Sequence, residues 1–217
     1  MLRLGYKASA EQFGPRQLLD YAVSADRLGF DSVWTSDHFQ PWRHTDGHAP
    51  NAIAWLGAAA MSTERVQLGT SVLTPTLRYN PGVVAQAFAT LGCLAPGRIA
   101  HGVGHGESLN EVVVGVDWPD QKERIHRLKE AVMLIQQLFS DDFVEFEGQY
   151  YRTHNATLYD KPAEPVPVFI RASGPAASRL AGRIAEGYIA TSGKPSELYT
   201  EKLLPGVSEG LGQAGRA

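Results

Sequence analysis

The chain of 217 residues holds a single cysteine, Cys93, so no internal disulfide can form, which points to a reducing compartment and hence the cytoplasm. No apolar run approaches the roughly 18 residues that a membrane helix needs, and the opening MLRLGYKASAEQF alternates polar with apolar residues instead of following the layout of a signal peptide. Charge of neither sign dominates. Lys plus Arg number 20 against 23 Asp plus Glu, net −3, with no basic run, which argues against a nucleic-acid partner. The sequence also lacks a GK[ST] phosphate loop and a cysteine cluster, which removes two familiar routes to nucleotide binding and zinc ligation. What is present, 43% hydrophobic and 20% charged residues, is the profile of a soluble globular protein.

Glycine (22) and proline (13) punctuate a repeat. Short β-branched or apolar runs stand at 2–8, 30–36, 66–73, 98–104, 166–172 and 187–191, each followed by a helical pattern. The clearest helix runs from Asp120 to Ser140, with Ile125, Leu128, Val132, Ile135 and Leu138 at spacings of three and four. Others lie near 15–28, 51–63, 81–94, 175–185 and 196–210, and Pro15, Pro81 and Pro175 mark helix starts. Cys93, late in an apolar helix, reads as a packed thiol. Strands alternating with helices imply crossovers and a parallel sheet. The segment 141–164 interrupts the rhythm with VEFEGQYYR, a hairpin turning near Gly148. Six βα units remain, which suits either a doubly wound open sheet or a (β/α)8 barrel short of two units. The chain reads as one partial domain over 1–217, ending in a GLGQAGRA that looks like loop. Six strands of a barrel expose two edges and an apolar interior, an aggregation hazard unless a partner covers it.

Polar residues collect just past the strand ends: Ser36-Asp37-His38, Thr70-Ser71 with Thr74, His105 with Glu107 and Asn110, Ser173-Gly174-Pro175, and Ser192-Gly193-Lys194. Five units feeding one rim favour a barrel, because an open sheet binds mainly at one switch point. His38 has the chemistry of a base for a hydroxyl proton, against the alternative of a rim histidine satisfied by hydrogen bonds. Adjacent strand residues point oppositely, so Asp37 is not expected to orient His38. Glu107 follows the small-residue stretch GVGHGE and is either an acid or anchor beside a ligand, or a cap for the helix that follows. That stretch lacks the spacing and the downstream acid of a nicotinamide fingerprint. Ser173-Gly174-Pro175 opens a helix whose free N–H groups can hold a phosphate, with Lys194 as a nearby cation, or both are structural. Trp42 offers a flat wall for a ring or is simply packed. His44 and His48 have ligand spacing for a helix, but Gly47 and Pro50 indicate a loop, and no metal site is expected.

Taken together, GYKASAEQF, SDHFQPWRH, DGHAP, GTSVLTPT, RYNP, AQAFATLGCL, GVGHGESLNE and TSGK resemble the F420-dependent glucose-6-phosphate dehydrogenases, within the luciferase-like group of flavin and deazaflavin barrel enzymes. The likeness runs from Leu4 to about Val207. It implies a TIM-barrel type fold and hydride transfer from C1 of glucose 6-phosphate, or a related sugar phosphate, to coenzyme F420, giving a lactone. It further implies His38 as base, Glu107 as the group protonating or stabilising the reduced ring, and Trp42 as a holder of developing charge. Asp37, Ser71, Val72, Thr74, Asn110, Ser173 and Gly174 fall on cofactor-contacting positions, with a non-proline cis peptide at Ser71–Val72. Lys194 matches a lysine that binds the sugar phosphate, and Glu11 matches a carboxylate at the rim. A homodimer is implied on the same ground. Two departures stand out: His105 replaces a small hydroxyl residue, where its ring can crowd the cofactor or shift Glu107, and the family continues for two further units with two more basic phosphate ligands. The alternatives are an inert truncated barrel, a relative oxidising another alcohol, and a flavin-dependent monooxygenase.

Overall fold

A computed structural model describes residues 2–216. Six strands, β1 (Gly5–Ala8), β2 (Ser32–Thr35), β3 (Gln67–Thr70), β4 (Ile99–Val103), β7 (Val168–Ala172) and β8 (Gly187–Ala190), pair in parallel, each beside the one before it. Among the described residues the order β1-β2-β3-β4-β7-β8 never reverses, and this winding is that of a TIM-type barrel rather than a doubly wound sheet with a switch point. The crossovers are α1 (Pro15–Arg27), α2 (Ala52–Ser62), α3 (Pro81–Leu94), α4 (Ser108–Glu111) with α5 (Gln121–Ser140), and α6 (Pro175–Ile184). After β8 a π-turn, Leu198–Leu203, leads into α7 (Leu204–Gln213).

Local chemistry explains the boundaries. Pro15, Pro81 and Pro175 occupy the first helical turns, where an N–H is not needed. Asn51, Asn80 and Asp120 cap α2, α3 and α5 by accepting from Ala54, Gly82 and Glu123 N–H. Buried Asp26 accepts the N–H groups of Glu64, Arg65 and Val66, fixing the approach to β3, and those bonds outweigh burial to hold its carboxyl below the usual range.

The helical side of the sheet buries Val33, Leu68, Ile99, Val103, Val168 and Ile170 against Leu18, Leu56, Phe88 and Ile135 in one core. On the other side large rings alternate with glycine. Trp34 and Phe169 meet edge to face at 5.6 Å. A Cβ on Gly69 would strike Trp34 at 2.5 Å, and one on Gly187 would strike Phe169 at 2.0 Å, so both positions have room for hydrogen alone.

The interruption is a hairpin as expected, β5 (Val144–Glu147) antiparallel to β6 (Arg152–Ala156). Glu130 of α5 accepts Gln149 and Tyr150 N–H, and Tyr151 Oη donates to the Thr76 carbonyl at 2.5 Å, pinning the hairpin to the β3–α3 loop. Burial pushes the Tyr151 hydroxyl up to about 12, with Arg127 opposing.

Two expectations need correction. GLGQ is not loop but the end of α7, because Gly206 and Gly210 let that helix press against α6, where a Cβ on Gly210 would meet Arg179 O at 2.2 Å. Close packing overrides the poor helix propensity of glycine. Cys93 is exposed rather than packed, since it falls on the Val83–Gln86–Thr90 stripe that spacings of three and four turn away from the core.

Candidate active site

The carboxyl ends of the strands form a cleft of about 190 Å3. Lys7 and Glu11 come from the first unit, Ser36, Asp37, His38 and Trp42 from the second, and Ser71, Val72 and Thr74 from the third. Gly104, His105, Gly106, Glu107 and Asn110 follow β4, and Arg171 lies in β7. The cleft adjoins a wider groove of about 620 Å3 that shares Glu11 and Trp42 and includes Ser9, Pro41, Arg43 and Asp46. Parallel winding alone delivers every loop of this kind to one rim.

His38 is held on both sides. Its Nε2 lies 3.0 Å from Glu11 Oε1, and its Nδ1 lies 3.2 Å from Asn110 Nδ2. Asn110 Oδ1 accepts the Phe39 N–H at 2.9 Å, which turns the amide nitrogen toward the imidazole. Nδ1 is therefore the acceptor, and in the neutral ring the proton sits on Nε2 and is donated to Glu11. Ser9 Oγ steadies the other Glu11 oxygen at 3.3 Å. Trp42, 70% exposed, stands edge-on to His38 with ring centres 6.0 Å apart.

Asp37 points elsewhere, to a buried ion cluster. Arg78 bonds Asp37 Oδ2, reaches Glu111 Oε1 at 2.5 Å through its guanidinium, and reaches Glu111 Oε2 at 3.0 Å through its backbone N–H. Tyr79 Oη donates to Asp37 Oδ1 at 3.4 Å. Burial pushes both carboxyls above the usual range while Arg78 pulls them down, as expected for two carboxylates sharing one cation. Arg78 and Glu111 had no role in the reading of the sequence; the only signal was their presence in RYNP and GESLNE.

Glu107 stands at the N-cap of α4, yet its side chain makes no capping bond, so the carboxyl faces the cleft uncommitted to the helix. Its backbone carbonyl accepts the Asn110 N–H at 3.0 Å. His105 lies beside it with Nδ1 buried and unpartnered, and burial, then Arg124, lower its pKa and favour the neutral ring. The Ser71–Val72 bond is cis, and Lys7 Nζ donates to the Ser71 carbonyl at 3.0 Å. Val72 backs onto Gly104, where a Cβ would meet Val72 Cγ2 at 2.7 Å.

The cleft thus gathers His38, Glu107, Trp42, Asp37, Ser71, Val72, Thr74, Asn110 and Glu11. Ser173, Gly174 and Lys194 are not among its lining residues. Ser173 and Gly174 open α6 at the end of β7, and Lys194 is exposed beyond β8, its backbone N–H bonded to Tyr199 Oη at 3.2 Å. His44 and His48 lie on irregular chain between β2 and α2, and among the described residues no group of three His, Cys, Asp or Glu side chains is placed to hold a metal.

The family model described as luciferase-like monooxygenase matches residues 2–217. An F420-dependent glucose-6-phosphate dehydrogenase of Beutenbergia cavernae is 65% identical over 216 residues, covering 100% of this chain and 64% of that protein. One from Nakamurella multipartita is 65% identical over 215 residues, covering 99% and 63%. A solved F420-dependent secondary alcohol dehydrogenase, in complex with an F420-acetone adduct, superposes with a TM-score of 0.95 at 40% identity, covering 99% of this chain and 65% of that one. The chain therefore spans about 64% of the length of such relatives.

Proposed function

Because the chain belongs to the luciferase-like monooxygenase family, we propose that its cleft serves hydride transfer from C1 of glucose 6-phosphate, or a related sugar phosphate, to coenzyme F420, giving 6-phosphogluconolactone and reduced F420. The observation that carries this reading is the convergence of His38, Glu11, Asn110, Trp42 and Glu107 on one cleft in a chain 65% identical to proteins so named. The donor set suits a flat, polar-edged heterocycle: an apolar wall at Val72, an unpartnered buried Nδ1 at His105, and an indole at Trp42. Asp37, Ser71, Val72, Thr74 and Asn110 would hold the ring from within the cleft, and Ser173 and Gly174 its extension along the rim. Bound F420 supplies the carbon that accepts the hydride.

The chain supplies the proton chemistry. His38 donates its Nε2 proton to Glu11 Oε1, so an alcohol at that edge gives its hydroxyl proton to Nε2 as the proton already there passes to Glu11, and the pair gains one proton in all. Asn110 keeps the ring from turning. Arg78 withdraws Asp37 from His38, so the acceptor is not flooded by a second negative charge. Glu107, which also lines the cleft, holds or delivers the proton needed by the reduced ring, and Trp42, edge-on to His38, helps hold the developing charge. Lys194 receives the phosphate from the rim.

The test is loss of oxidised F420 absorbance with glucose 6-phosphate, beside His38→Ala. Reduction by the chain and its loss in the variant are expected; a folded chain that reduces no F420 overturns the reading. Oxidation of another alcohol is the second reading, favoured by the position of Lys194 outside the cleft lining and by the likeness to a secondary alcohol dehydrogenase. Turnover of 2-propanol in preference to glucose 6-phosphate would select it.

The reading of 1–217 as one partial domain, with 141–164 inserted, is supported by the single core that runs from Ala8 to Ala185. A second copy is the partner we assign to α2 and α3. Neither helix contains a charged residue, and together they expose Met61, Val83 and Leu94. Sedimentation should give a dimer that Val83→Glu dissociates, and a monomeric wild type refutes this. Among the described residues no helix is long and apolar enough to cross a membrane; the single cysteine supports the cytoplasm, and the net charge of −3 gives nucleic acid no footprint.

A further inference from the structure

Arg171 is a cation in the cleft that neither the sequence motifs nor the proton chemistry uses. Along β7, Val168, Ile170 and Ala172 turn into the helical layer and are buried, which leaves Phe169 and Arg171 on the cleft side. Among the described residues no carboxylate lies within 4 Å of its guanidinium. Its side-chain partner is the Thr191 hydroxyl, at 2.9 Å from Nη2. A guanidinium carries five N–H donors, so most of the fork remains for a ligand.

The other acids of the cleft are engaged or apart. Glu11 is bonded to His38 and Asp37 to Arg78, and Glu107 makes no ion pair within 4 Å among the described residues. Lys7 adds a second positive charge to the cleft. Thr191 also links Arg171 to the segment of Lys194. Tyr199 Oη donates to the Thr191 carbonyl and accepts the Lys194 backbone N–H, so the arginine in the cleft and the lysine at the rim are braced by one small network.

We propose that Arg171 seats the phosphate of a phosphate monoester substrate, its fork meeting two oxygens of the dianion while the Thr191–Tyr199 network holds Lys194 within the same seat. The proposal rests on the sugar-phosphate reading above and adds a guanidinium to the rim lysine of that reading, since a dianion is ordinarily met by several charged hydrogen bonds. Arginine is suited to this task because two parallel N–H groups match two phosphate oxygens, a match that lysine does not make.

Calorimetric titration of the whole chain with glucose 6-phosphate, inorganic phosphate and glucose tests the seat, with F420 affinity measured separately. Arg171→Met is expected to weaken both phosphate compounds by about 10- to 100-fold, the worth of a hydrogen bond to a charged group, and to leave F420 affinity within about twofold. Should that variant not fold, Arg171→Lys, which keeps the charge and loses the fork, decides by the same titration and is expected to lose part of the affinity. Unchanged phosphate affinity in the folded variant, or parallel loss of F420 and phosphate, overturns the seat. A wild-type chain that binds F420 but neither phosphate compound overturns it too, and leaves the cofactor reading standing. A wild-type chain that binds no F420 removes that reading, while the phosphate titration still decides the seat.

Discussion

Arg78→Met removes the one cation that, among the described residues, lies within 4 Å of two carboxylates that water barely reaches, the side chains of Asp37 and Glu111 being 2% and 0% exposed. Breaking a buried pair in this way costs about 3–5 kcal/mol, because the charge left behind has neither water nor a partner. With a urea m value of about 2 kcal/mol per molar, the unfolding midpoint should fall by about 1.5–2.5 M. The pH dependence identifies the cause. Burial already pushes both carboxyls above the usual range and Arg78 opposes it, so the variant raises their folded pKa further. An acid with a higher pKa folded than unfolded binds more protons in the native state, and stability then falls as pH rises, by about 1.4 kcal/mol per unit for each group. The loss should therefore be smaller at pH 5 than at pH 8. Adding Asp37→Asn and Glu111→Gln to Arg78→Met should recover part of the stability, since neither amide leaves a bare charge. A loss below about 1 kcal/mol, or one of equal size at both pH values, would refute the argument, that being the range of exposed ion pairs.

His101 is wholly buried and stacks on Phe88 at 3.9 Å, with neither ring nitrogen hydrogen-bonded. His101→Leu should raise stability by about 1–3 kcal/mol in a thermal melt. Burial lowers the His101 pKa to about 3, so the unfolded chain takes the proton first. Below about 6.5 the wild type should lose about 1.4 kcal/mol per pH unit until about pH 3, and an acid limb as steep in the leucine variant would sink this account. Gly182→Ala places a Cβ 2.1 Å from Val207 O in the α6–α7 contact. The propensity gain of about 1 kcal/mol should be outweighed by displacement of the two helices, giving a net loss of about 1–3 kcal/mol; a more stable alanine variant would show that α7 shifts without penalty.

The parts that were legible in the sequence share one property: each is signalled within its own unit. Strand spacing, proline at helix starts and the hairpin within 141–164 are local patterns, and all lie where local chemistry puts them. The cleft residues followed because they sit at strand ends, and parallel winding sends every such end to one rim. The rest depends on contacts that no window spans. Arg78 meets Asp37 and Glu111 across 41 and 33 residues, and Tyr151 meets Thr76 across 75. Strand alternation already turned Asp37 away from His38, but the partner of each was hidden. Asp37 and His38 are neighbours in sequence, yet one turns to a buried arginine and the other to Glu11 and Asn110. The same holds for GLGQ, whose glycines signal a loop in isolation and a close helix contact once α6 is beside them. The division has a chemical consequence. A histidine at a strand end needs only the winding to reach the cleft, but its hydrogen-bond partners are set by which side chains face it across the fold. Arg78, by binding Asp37 and Glu111 at once, leaves Glu11 as the carboxylate on His38. The ion cluster and the His38 contacts thus lie side by side in one cleft, Asp37 held by Arg78 and His38 by Glu11 and Asn110.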